Sequence, residues 1–138
     1  MRPTEEMDEM DRVLIIEDDE HVQKMLKQTL ERAGYEVGTA NNGATGLKLY
    51  ESKLNLSEPY NVVITDLIMP EMEGIETITK LRKSNPKVKI IAISGGGRNK
   101  PEDYLHLAGK LGAARLFTKP LDRDALLQAV SELAAKSQ

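Results

Sequence analysis

Short, wholly apolar runs recur along this chain with stretches of helical period between them, and this alternation limits the folds open to it. Val13-Leu14-Ile15-Ile16 is apolar throughout, as expected of a strand buried on both faces of a parallel sheet. Val22, Met25, Leu26, Thr29 and Leu30 then follow at helical spacing, with Gly34 placed as a C′ residue. Tyr35 to Ala40 alternates as an edge strand would, and Gly43 to Leu54 carries Ala44, Leu47, Tyr50 and Leu54 on one helical face. Gly46 inside that helix should cost about 0.5 to 1 kcal/mol relative to alanine. Val62 to Thr65 is a third strand, and Ile75, Ile78 and Leu81 begin a helix after Gly74 that Pro86 ends. Val88 to Ile93 is a fourth strand, and Pro101 suits the first turn of a fourth helix through Tyr104, Leu105, Ala108 and Leu111. Ala114 to Thr118 is the fifth strand, and Asp122 caps a last helix bearing Leu126, Leu127, Val130 and Leu133. The sum is an α/β chain of five βα units. Each helix must carry the chain back before the next strand starts, so the strands are parallel and the crossovers right-handed.

At 138 residues this is about one domain. Residues 1–11 are polar, acidic and without period, which reads as a mobile tail ahead of a domain over 12–138. With one Phe and no Trp, the core must be aliphatic. A net charge of -3 offers no basic stripe for phosphates, which argues against direct nucleic-acid binding. The absence of cysteine removes disulfides, thiolate nucleophiles and thiolate-ligated zinc. No apolar run is long enough to span a membrane and none resembles a signal-peptide core, so a cytoplasmic location without membrane attachment is expected. His21 and His106 have no second ligand at metal spacing.

In a parallel sheet all carboxyl ends share one rim, and ligands of open α/β sheets bind outside it. The residues just past strands one, three, four and five are Glu17-Asp18-Asp19, Asp66, Ser94 and Lys119. Each has an ordinary explanation alone: acids before a helix cap it, an Asp before a Pro-containing loop makes a turn, a Ser before glycines is loop chemistry, and a lysine is usually solvated. Their convergence in complementary chemical types points instead to phosphoryl transfer onto a carboxylate. Neighbouring acids raise one another's pKa unless a cation relieves them, and magnesium prefers such oxygen ligands. Asp66 would attack phosphorus, Lys119 would offset charge on the equatorial oxygens, and Ser94 could donate a hydrogen bond to one of them.

Four ordered motifs carry a resemblance: Val13-Leu14-Ile15-Ile16-Glu17-Asp18-Asp19; Thr65-Asp66-Leu67-Ile68-Met69-Pro70 with Met72-Glu73-Gly74; Ile93-Ser94-Gly95; and Gly112-Ala113 leading into Phe117-Thr118-Lys119-Pro120. From Arg12 onward the chain resembles the receiver domain of two-component response regulators. That resemblance implies a doubly wound, flavodoxin-like parallel sheet of order 2-1-3-4-5. It makes Asp66 the phosphoacceptor and Glu17 with Asp18 the acidic pair that binds Mg2+, Asp18 being the direct ligand. The backbone carbonyl of Ile68 completes the protein's ligands, and Asp19 is left to start the helix. Lys119 contacts the phosphoryl group and precedes a cis Pro120, while Ser94 supplies the switch hydroxyl.

Two departures stand out. Glu17 replaces the commoner Asp, keeping the charge and lengthening the reach. Leu116 stands where many members carry an aromatic that swings inward, so a different coupling is expected, with Phe117 pointing to the core. The stretch Lys53 to Tyr60 is also a few residues long for its loop. The implied function is a phosphorylation-dependent switch, not a turnover enzyme, loaded by a histidine kinase or phosphotransfer protein. Its output partner would meet the fourth helix, fifth strand and last helix, and a homodimer is one such partner. No effector domain is expected within the sequence, which ends at Gln138. Two rivals remain: a receiver-like docking module that is never phosphorylated, and an aspartyl-phosphate phosphatase. Such a phosphatase typically has a second Asp two positions after the nucleophile, where Ile68 stands.

Overall fold

The computed structural model describes residues 10–67, 73–95, 106 and 109–136, the side chains of Glu73 and Lys136 excepted. Five parallel strands, β1 (Arg12–Ile16), β2 (Glu36–Ala40), β3 (Val62–Asp66), β4 (Ile90–Ser94) and β5 (Arg115–Thr118), form one sheet of order β2-β1-β3-β4-β5. Between and after them run α1 (Glu20–Arg32), α2 (Gly43–Asn55), α3 (Glu73–Ser84) and α4 (Arg123–Lys136). The helix expected from Pro101 falls largely outside the described residues. His106, Gly109 and Lys110 are helical, and His106 is exposed.

Strand residues alternate between two cores because successive side chains leave opposite faces of a sheet. Leu14, Ile16, Val63, Ile90 and Ala92 pack with Tyr50 of α2 and Ile78 and Leu81 of α3. Val13, Ile15, Val62, Ile64, Ile91 and Ile93 pack with Leu26 and Leu30 of α1 and with Leu126, Val130 and Leu133 of α4. Helices therefore cover both faces, as in a doubly wound fold. The core is aliphatic as expected, with two tyrosines added: Tyr50 and Tyr60 stack with ring centroids 6.4 Å apart. Ala44 is exposed rather than facing the core, and the buried line of α2 runs through Gly43, Gly46 and Tyr50. A Cβ on Gly46 would stand 2.5 Å from Cδ1 of fully buried Ile16. The lost helix propensity thus lets α2 lie close against β1.

Side chains start three helices. Asp19 accepts from the amides of His21 and Val22, Asn42 from that of Thr45, and Asp122 from that of Ala125. α1 ends in a Schellman motif, Gly34 at φ 98 donating to Glu31 O and Tyr35 to Leu30 O. The extra residues after Lys53 are absorbed the same way. Ser57 donates to Leu54 O and Glu58 to Lys53 O, but here a serine carries the left-handed φ of 61. A Cβ is unfavourable in that region. Ser57→Gly is therefore expected to raise stability by about 0.5 to 1 kcal/mol in a urea titration. A lower midpoint would show that the serine side chain contributes more than its backbone strain costs.

Candidate phosphoryl-transfer site

Strand register brings the polar residues together at the carboxyl rim. Ile16 pairs with Thr65, Asp66 with Ile93, and Ser94 with Thr118, so Glu17 and Lys119 each continue a strand whose neighbour ends in a site residue. Each continuation is bonded to the sheet: Glu17 N–H donates to Ala40 O, Leu67 N–H to Ile93 O, and Lys119 N–H to Ser94 O. The side chains thus leave a rigid backbone.

Asp66 is 3% exposed at the end of β3, and its Oδ2 lies 2.9 Å from the ammonium of Lys119. The same ammonium stands 3.2 Å from Glu17 Oε1, and Glu17 Oε2 accepts from the backbone amide of Asp19. The peptide bond from Lys119 to Pro120 is cis. Gly74 on the first turn of α3 abuts this end of β3, where a Cβ would collide with the Asp66 carbonyl oxygen.

One carboxylate oxygen from each of Glu17, Asp18 and Asp66 lies within 4.8 Å of the others, with Glu17 and Asp66 buried and Asp18 exposed. Burial, reinforced by hydrogen bonding with Asp66 and by its charge, pushes the Glu17 carboxyl up to about 8. Burial alone would lower the Lys119 ammonium, but the hydrogen bond to Asp66 and the two carboxylate charges carry it above the ordinary lysine value. Asp19 is held below the usual carboxylate range, chiefly by the Val22 amide, which suits a cap. The cluster therefore holds more negative charge than one ammonium balances. Three carboxylate oxygens this close together, one of them from an exposed residue, fit a hard divalent cation such as Mg2+.

Ser94 is fully buried, and its hydroxyl has no hydrogen-bond partner among the described residues. A buried hydroxyl in that condition carries a cost that a newly arriving acceptor would relieve. Leu116 is 42% exposed on β5, whereas Phe117 packs against the core, as the alternation of that strand predicts. The carbonyl of Ile68, expected among the ion's ligands, lies outside the described residues.

Gln23 was not marked by the sequence, where it is one polar residue in a helical pattern. Its side-chain amide donates to the carbonyl of Glu17 at 3.0 Å and to that of Ala40 at 3.2 Å. Only the strand register reveals that those carbonyls lie within reach.

Comparison with known proteins gives one consistent answer. A family model, the response regulator receiver domain, matches residues 13–131. The chemotaxis protein CheY of Thermotoga maritima is 34% identical, over 89% of this chain and 97% of that protein. The crystal structure of a response regulator receiver domain protein from Clostridium thermocellum superposes with a TM-score of 0.82 at 29% identity, covering 92% of this chain and 96% of that one. A chain of the CheX–CheY–BeF3–Mg2+ complex from Borrelia burgdorferi aligns with a TM-score of 0.77 at 27% identity, over 89% of this chain and 88% of that one.

Proposed function

The chain belongs to the response regulator receiver domain family, and from that premise we propose that Asp66 accepts a phosphoryl group from a histidine kinase or phosphotransfer protein. The observation that carries this reading is the ion pair of buried Asp66 with Lys119 inside the Glu17–Asp18–Asp66 cluster. Such an arrangement holds a nucleophilic carboxylate in place and keeps a cation beside it for the charge that arrives.

In the reaction an oxygen of Asp66 forms a new P–O bond. The donor's bond to phosphorus breaks, and its electron pair leaves with the donor. The product is an acyl phosphate on Asp66. Lys119, paired with the carboxylate beforehand, turns its ammonium to a phosphoryl oxygen. Mg2+ held by Glu17, Asp18, Asp66 and the Ile68 carbonyl would supply further neutralisation of the phosphoryl oxygens. The Ser94 hydroxyl gains the acceptor it lacks and moves towards the phosphoryl group. Because Ser94 pairs with Thr118, that movement reaches β5, where Leu116 faces outward. An output partner would read this strand and its flanking helices through an aliphatic contact. The protein acts as a cytoplasmic signalling switch, and Asp66 is its acceptor rather than a site of repeated turnover.

Incubation with Mg2+ and a small acyl phosphate tests the reading by intact mass. One phosphoryl adduct per chain is expected. A folded protein that takes no adduct from any donor would support the docking module, and sustained hydrolysis of many phosphomonoesters would support a phosphatase.

A further inference from the structure

The backbone ladder between β1 and β2 ends at Ile16 and Ala40, one residue short of the acids. The Glu17 amide still reaches Ala40 O at 3.0 Å, but the Glu17 carbonyl lies past the last rung. Gln23, in the first turn of α1, reaches back to it. Its single NH2 group donates both hydrogens, one to Glu17 O and one to Ala40 O. The Glu17 carbonyl belongs to the same rigid peptide plane as the Asp18 amide. A bond to that oxygen therefore fixes the plane from which the Asp18 side chain departs, while the Asp19 amide holds Glu17 Oε2.

We propose that Gln23 is a positioning residue for the acidic pair, setting the separation of the Glu17 and Asp18 carboxylates for a divalent cation. The proposal rests on the metal-assisted reading above. Gln23 touches neither the ion nor the phosphoryl group and acts through the Glu17–Asp18 peptide. Its bond to Ala40 O also anchors the end of edge strand β2 to α1, so the acids are held from two elements. Groups that orient ligands in this way typically change metal affinity by roughly 10- to 100-fold when removed.

The test compares Mg2+ affinity of the full chain and of Gln23→Met, which keeps the length of the side chain and removes its donors. Affinity is read by calorimetry, and thermal unfolding is measured in chelator. Gln23→Met is expected to bind Mg2+ roughly tenfold more weakly and to regain near-normal phosphorylation at saturating Mg2+. Gln23→Glu, of equal length but presenting acceptors to two carbonyls, should also lose affinity although it adds a negative charge near the ion. That second variant guards against misfolding of the first and separates donor geometry from simple charge. Equal Mg2+ affinity in the full chain and both folded variants would overturn the proposal. Absence of Mg2+ binding in the unmutated chain would overturn the metal reading itself.

Discussion

Asp66→Asn is expected to abolish the phosphoryl adduct completely while leaving the chain folded. The amide is nearly isosteric but neutral, so no carboxylate oxygen remains to attack phosphorus. The fold should tolerate it because Asp66 is one of two buried acids sharing one ammonium. Removing its charge leaves Lys119 paired with Glu17 and takes away the neighbour that raises Glu17. Breaking a buried pair usually costs about 3 to 5 kcal/mol because a charge is stranded. Here the ammonium keeps a partner, so a loss below about 1 kcal/mol is expected in urea titration. An adduct that persists in a folded Asp66→Asn chain would place the acceptor elsewhere. Peptide mapping of the unmutated adduct supplies the complementary check.

The second large effect is a dependence of stability on pH that Mg2+ should flatten. In the unfolded chain Glu17 loses its proton near its ordinary 4.5, whereas in the folded chain it keeps that proton to about 8. Between those values the native state binds more protons than the unfolded one, so stability falls as pH rises through the window. The loss should amount to roughly 1 to 3 kcal/mol in chelator. Lys119 acts outside this range: its raised pKa contributes stability that is present below the ordinary lysine value and lost above it. Asp19 also acts outside it, its lowered pKa contributing stability present above 3.8 and lost under more acid conditions. Mg2+ would bind the ionised form, so its affinity should rise with pH through the same window, and saturating Mg2+ should flatten the slope. Denaturant titrations across the window, with chelator and with Mg2+, measure both. Glu17→Gln should remove the slope. If it remains in that variant, another group is responsible.

The strands, their parallel direction and the rim residues were legible because each rests on local pattern: apolar runs alternating with helical ones, a cap at Asp122, a break at Pro86. The strand order came instead from the family resemblance. Burial within the acidic run was not legible. Glu17, Asp18 and Asp19 are consecutive, and spacing alone does not reveal that Glu17 goes inside, Asp18 stays exposed and Asp19 caps. Gly46 looked like a defect because the helix pattern contains no trace of Ile16 lying against it. Tyr60 sits alone before a strand, so its stacking on Tyr50 had no periodic signature. In each case the missing information is which distant residue arrives, and that is set by register and layer packing rather than by neighbours in sequence.

The order β2-β1-β3-β4-β5 also bears on synthesis. Translation delivers Glu17 directly after β1 and Lys119 only after β5, although the two end 3.2 Å apart. Domains fold largely as they emerge, and distant strand pairings are slow to form. A chain that has emerged only as far as β3 has the three acids but not the ammonium that pairs with two of them. The site is therefore complete only once β5 has joined the sheet.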